Sequence, residues 1–343
     1  MANLLGIVAI SAATLFVFVL AKRVPAIAKL LIFAFIARIL LSLFNVYIGG
    51  LPDSGADAVT FEANAWIWSQ GDFSDVFFNF THGRHGYILS WIIALFYNLT
   101  DRSLLASQTL SVIFGMGSIY LGWKLSAEIW SKEVANRSAW VMAFFPSWVL
   151  YSVLILREVY IWFFILFALI GVVRWVKFNK FLDLIIAVIG FIVASFFHGV
   201  MLLGLLVFIG FVFYRAFVNL LDSLTTTKVP FIQLLVFILT GIVITAFFMS
   251  LINIPYIGTF EDIEVDRIIK RSMVTASGGS AFPEWLIPQG LLDMIWKVPV
   301  RVMYFFFSPF PWDISKPIHL IGFLDGVIYL ILFMLLFEKI ESI

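Results

Sequence analysis

There is no cysteine anywhere in this chain. That excludes disulfide staples and thiolate metal sites, although it assigns no compartment, because a chain without thiols is tolerated anywhere. Charge is scarce too: only 13% of residues are Asp, Glu, Lys or Arg, and they sum to +1 at neutral pH. A balance so close to zero selects neither an acidic nor a basic partner. The sequence also has no clustered basic face of the kind a nucleic-acid module presents, which sets nucleic acid aside as a partner. Internal repeats, low-complexity tracts and flexible interdomain linkers are missing as well. No basic residue precedes the first apolar segment, and Lys22 and Arg23 follow it. This order is the reverse of a secretory signal peptide, so the segment reads as a retained helix.

What the chain has in excess is hydrocarbon. Its 343 residues are 62% hydrophobic and 18% aromatic, with a mean hydropathy of +1.05, a composition foreign to soluble globular domains. Apolar runs near 3–21, 30–49, 103–123, 138–156, 159–173, 181–197, 199–217, 230–252 and 318–337 approach or fill the roughly 20 residues a helix needs to cross about 30 Å of hydrocarbon. The predicted fold class is an all-α polytopic membrane protein, a single transmembrane domain over 1–343 with about nine spans. The shorter stretches 86–99 and 298–308 suit interfacial or re-entrant helices.

Basic residues orient this bundle. With Lys22, Arg23 and Lys29 in the cytoplasm and the chain threaded alternately, the next inner connections carry Lys124, Lys132 and Arg137, then Arg174, Lys177 and Lys180, then Lys228, then Lys339. This is the bias that the positive-inside rule expects. It sets the N terminus outside and leaves two extracytoplasmic loops, 50–102 and 253–317.

Acidic residues gather in those loops. The first contains LPDSGADAVTFEANAWIWSQGDF, with Asp53, Asp57, Glu62 and Asp72, followed by Asp75 and the run HGRHG that holds His82, Arg84 and His85. The second contains DRIIKR, which sets Arg267, Lys270 and Arg271 at helical three-and-four spacing. Arg157 and Glu158 sit together between two apolar segments. Each has a plainer reading beside the functional one. Loop acids are usually solvated, Arg157 with Glu158 suits a structural ion pair, and a basic interfacial helix also serves anionic lipid. His198 in FFHGV reads as a hydrogen-bonded structural residue. Arg38 lies inside a span, where an ionisable residue marks a functional site or a helix-packing role.

The order of these features resembles the integral-membrane glycosyltransferases of the GT-C fold. It is carried by ADAVTFEANAW, then HGRHGYILSWIIALFY, LGWKLSAEIW and VMAFFPSWVLYSVLILREVYIWFFILFAL, with a weaker echo in SPFPWDI. Within that superfamily the chain looks most like bacterial relatives of protein O-mannosyltransferases and aminoarabinose transferases, over roughly residues 30–175. The resemblance implies transfer of a sugar from a polyprenyl-phosphate-linked donor to an extracytoplasmic glycan, lipid or protein acceptor, in a bacterial plasma (inner) membrane. It maps the first-loop acid of the family onto Asp57, with Asp53 as competitor, and the second acidic position onto Glu158. The family's Asp-Tyr pairing is replaced here by Asp57 with Phe61.

The chemistry asks for the same groups. Displacing a polyprenyl phosphate from an anomeric carbon needs a carboxylate to take the acceptor proton and cationic donors where phosphate charge develops. The expected roles are Asp57 as general base, and Asp53 or Glu158 orienting hydroxyls. Arg84, His82, Arg157, Arg267 and Arg271 are the candidates for the carrier phosphate. No cofactor is expected. A divalent metal on Asp57 and Glu158 is the less favoured option, and the histidine spacing matches no standard zinc pattern. Two alternatives stand beside this reading: a polysaccharide repeat-unit polymerase leaning on Arg84 and Arg157, and a lipid-linked sugar transporter or flippase.

Overall fold

The computed structural model describes residues 1–78, 87–224, 234–243, 282–316 and 318–341. Every element among them is helical, with no strand. The helices are α1 (Ala2–Arg23), α2 (Ala28–Tyr47), α3 (Ala56–Trp68), α4 (Phe73–Phe78), α5 (Ile88–Leu99), α6 (Leu104–Ile129), α7 (Lys132–Phe144), α8 (Pro146–Tyr151), α9 (Glu158–Phe178), α10 (Phe181–Phe197), α11 (Leu202–Leu224), α12 (Leu234–Val243), α13 (Leu291–Phe307) and α14 (Ile318–Glu341). Six stretches among the described residues are long and apolar enough to cross a bilayer: Ala2–Arg23, Pro25–Tyr47, Leu104–Ile129, Glu158–Phe178, Gly199–Leu221 and His319–Leu336. The protein is an all-α membrane protein. It divides into two units, Met1–Leu202 and Leu203–Ile343.

In the first unit α6 is the hub, touching α1, α2, α7 and α9. Local chemistry sets the helix ends. Ser103 and Ser131 cap α6 and α7, their hydroxyls accepting from the amides of Ala106 (3.4 Å) and Val134 (3.3 Å). Asn179, at φ 53°, turns the chain out of α9 into α10. Those two helices pack with their backbones touching. A Cβ on Gly171 would lie 2.6 Å from the Ala187 nitrogen, and one on Gly190 would lie 2.8 Å from the Ala168 backbone. Small residues at a helix crossing substitute for the hydrophobic drive that lipid removes.

The apolar run 138–156, expected as one span, is instead broken. Phe145 is extended (ψ 120°), Pro146 opens α8, and the chain turns through 152–157 before α9. Proline cannot continue the hydrogen-bond ladder, and its ring clashes with the turn before it. The interruption leaves the Ala143 carbonyl without its next helical amide. Arg38 fills the gap: its Nη1 donates to the Ala143 oxygen at 3.0 Å and to the Ala34 oxygen at 3.1 Å, while Nε donates to Ser152 Oγ at 2.8 Å. The guanidinium is 1% exposed, and no carboxylate pairs with it among the described residues. Its counter-charge is the partial negative end of α7 and of α8, where Ser152 is the C-cap.

In the second unit, Phe237 of α12 stacks on Phe213 (4.6 Å between ring centroids) and on Phe217 (5.9 Å) of α11. Between α13 and α14, a Cβ on Gly326 would lie 2.5 Å from the Phe307 carbonyl oxygen, so the two helices meet at backbone contact.

Candidate functional site

Helix α3 sorts its residues by the 3.6-residue period. Ala58, Phe61, Glu62, Ala65 and Trp68 form the buried stripe, spaced so as to share one face. Asp57 falls off that stripe and is exposed in the first helical turn. It is not the cap: that position belongs to Gly55, which has no side chain to offer. Its carboxylate, with no hydrogen bond or ion pair among the described residues, faces the positive end of the α3 dipole.

The turn before α3 is strained. Asp53 (φ 59°) and Ala56 (φ 30°) both occupy the left-handed region, at an expected cost on the order of 1–3 kcal/mol for such a residue. Asp53 is exposed and, like Asp57, has no side-chain partner among the described residues.

Phe61 is where distant elements converge. The Arg157 guanidinium lies 5.8 Å from its ring centroid, and the Tyr87 ring packs at 5.7 Å with a 60° tilt. Tyr87 also meets Trp68 edge-on at 6.3 Å. Asp57 lies one helical turn before Phe61 on α3, off the buried stripe to which Phe61 belongs. Arg157 and Glu158 open α9 with Arg157 Nε 3.8 Å from Glu158 Oε1. That is an ion pair too long for a hydrogen bond. Arg157 Nε and Glu158 Oε2 are both sequestered from solvent and have no hydrogen-bond partner among the described residues, while the two side chains as a whole are 28% and 36% exposed.

Glu62 behaves differently from the other first-loop acids. It is 6% exposed and fully engaged: Arg102 donates from Nε to Oε1 at 2.8 Å and from Nη2 to Oε2 at 2.6 Å, and the Tyr97 hydroxyl donates to Oε1 at 3.1 Å. Ser107 of α6 donates in turn to the Tyr97 oxygen at 3.0 Å. The Arg102 guanidinium also lies 5.3 Å from the Trp66 ring centroid. The hydrogen bond to Glu62 raises the Arg102 pKa further, and burial pushes the Tyr97 phenol up. In sequence order alone Glu62 falls among the loop acids and Arg102 carries no role. The available signal was helical phase, since Glu62 is the one charged member of the 58–61–62–65–68 stripe.

Of the sequence-predicted residues, the structure brings together Arg157 and Glu158 at the start of α9, with Arg157 over Phe61 of α3. Asp57 lies in the first turn of that same helix, and among the described residues no contact joins Asp57 or Asp53 to them. His82, Arg84, Arg267 and Arg271 lie outside the described residues. Among the described residues, no group of three or more His, Asp or Glu side chains is gathered as a metal would require. His198 ends α10 with its Nδ1 accepting from the Val200 amide at 3.3 Å, the structural role its apolar setting suggested. Another sequestered ion pair, Arg174 Nε to Asp183 Oδ1 at 3.2 Å, ties α9 to α10 at the end away from Arg157. No family model matches the sequence, and neither a curated protein nor a solved structure matches it.

Proposed function

We propose that this protein is a membrane glycosyltransferase that moves a sugar from a polyprenyl-phosphate-linked donor to an acceptor outside the cytoplasm. The observation that carries the reading is the Asp57 carboxylate, unpartnered among the described residues and one helical turn from Phe61, whose ring bears the Arg157 guanidinium. This pairs an unengaged base with a cation that has unused donors, both at helix N-termini that favour negative charge. The strained turn at Asp53 and Ala56 adds support, because backbone strain persists where surrounding structure enforces it and clusters at functional sites.

In the proposed reaction the acceptor hydroxyl oxygen attacks the anomeric carbon while the bond from that carbon to the phosphate oxygen breaks. Asp57 takes the hydroxyl proton, and the departing polyprenyl phosphate carries the electron pair to the donors of Arg157. Glu158, whose side chain is 36% exposed, orients a sugar or acceptor hydroxyl. GT-C membership, about nine spans with an outer N terminus, and a bacterial inner membrane belong to the same proposal. They rest on the motif order and on the basic residues of the inner connections.

The test is incubation of the purified protein with a panel of polyprenyl-linked sugars and simple acceptors, with release of carrier phosphate as the readout. Release coupled to a monoglycosylated acceptor supports the reading. Lengthening of a lipid-linked glycan would favour the polymerase alternative, and movement of intact donor across a vesicle with no release would favour a transporter.

A further inference from the structure

The Glu62–Arg102 pair holds α3 by a route separate from its main packing. Helix α3 packs chiefly on α5, a helix of 12 residues. Arg102 belongs to neither. It immediately precedes Ser103, the N-cap of α6, the helix around which the first unit is built. A forked guanidinium on a carboxylate fixes orientation as well as distance, and here both Glu62 oxygens are taken. Tyr97 and Ser107 carry the same connection through α5 into α6. Among the described residues a second cation meets α3, Arg157 over Phe61, the neighbour of Glu62 in sequence. Thus α3 is clipped to the start of α6 through Glu62 and meets the start of α9 through Phe61, and Asp57 is exposed in its first turn.

We infer that Glu62 and Arg102 form a latch that sets the tilt of α3 against α6 and thereby the separation of Asp57 from Arg157. They are positioning residues: Glu62 is buried and already accepts three hydrogen bonds, two of them from the Arg102 fork. The inference rests on the glycosyltransferase reading for its effect on rate and on geometry alone for its effect on α3.

Two readouts keep these apart. Spin labels on Val59→Cys and Leu104→Cys, in a chain with no native cysteine, report the α3–α6 distance in the full-length protein in lipid nanodiscs. A single narrow distance is expected in the parent. Arg102→Ala should broaden or shift it, and Arg102→Lys, which keeps charge without the fork, should do so partially. Turnover of a polyprenyl-linked sugar by Arg102→Ala should fall by about a hundredfold, the scale of an ångström-level misplacement. Donor KM should stay within about twofold because Arg157 is untouched; Glu62→Gln, which retains the Tyr97 bond, should lie between. An unchanged distance distribution in both Arg102→Ala and Glu62→Gln would overturn the latch, whatever the turnover. A broadened distribution with no turnover by any variant or by the parent would retain the latch and remove the glycosyltransferase reading. A rise in donor KM matching the fall in turnover would reassign Arg102 to substrate binding.

Discussion

Arg38 places its Nη1 3.0 Å from the carbonyl oxygen of Ala143, a residue 105 positions further along the chain. In hydrocarbon every backbone group must find an internal partner, so the proline break at 145–146 and the buried arginine are two halves of one arrangement. Arg38→Met should leave the Ala143 oxygen unpaired. A net loss of about 1 kcal/mol corresponds to local opening, and hence amide exchange across 144–157, that is faster by about five- to tenfold. Global melting is a poorer reporter, because removing a desolvated charge offsets part of the loss. Hydrogen exchange resolved to that segment is the measurement, and unchanged protection there would mean that Arg38 does not hold the break.

Asp57 and Asp53 make separable forecasts. Asp57→Asn should lower turnover by about 100- to 10,000-fold, the usual contribution of a general base, while donor affinity and folding survive the isosteric change. Asp53→Asn should keep most of its turnover, because Asn occupies the left-handed region as readily as Asp. The two variants are assayed side by side. A collapse confined to Asp53→Asn would move the role to that residue, and near-normal rates in both would end the carboxylate-base mechanism.

Arg157 is expected to act on donor binding. Arg157→Ala should weaken binding of the polyprenyl-linked donor about tenfold or more, as loss of a charge-assisted contact does, with Arg157→Lys partly restoring it. Equilibrium binding of labelled donor checks this. A role limited to pairing with Glu158 would instead lower thermal stability and leave donor affinity intact.

Orientation is open to labelling without background. Thr60→Cys and Ser131→Cys both place a thiol at an exposed position. In intact cells an impermeant maleimide should modify the first and spare the second; the reverse pattern would invert the proposed topology. Ser69, also within the first loop, is buried and would give an uninformative blank.

In the second unit the Asp293 carboxylate accepts from Lys297 Nζ (2.8 Å), the Gln289 amide (2.8 Å) and Trp296 Nε1 (2.8 Å). The Lys297 bond, and then the Gln289 amide, hold its pKa below the ordinary value. A depressed folded pKa means that the stabilisation is complete above the ordinary carboxylate range near about 4 and is lost as pH falls through the lower folded value. Carboxyl-carbon NMR of labelled Asp should show Asp293 titrating below that range. An ordinary titration would show that the three bonds contribute no pH dependence.

Much of the fold was legible in the sequence because lipid imposes one severe rule. Long apolar runs can only be helices when no water is present to satisfy the backbone, so the spans around α1, α2, α6, α9, α11 and α14 were readable from hydropathy alone. The 138–156 run was not, because hydropathy is blind to whether Pro146 kinks a helix or ends it. The outcome depended on Arg38 reaching the freed carbonyl from another helix. Helical phase holds the signal that parts buried Glu62 from exposed Asp57, two acids that composition leaves together in one loop, yet phase names a face without naming what covers it.

By itself, then, the sequence determined that this chain is helical, belongs in a membrane, and carries Asp53 and Asp57 around the start of α3. Hydrophobicity and period are properties of residues in order, and order is all they require. Tertiary structure alone decided which charges are engaged: Glu62 with Arg102, Arg38 with Ala143, and Asp57 with none among the described residues. Hydrogen bonds and ion pairs act over about 3–4 Å, and residues 40 or 105 positions apart reach that range only after the helices between them have packed.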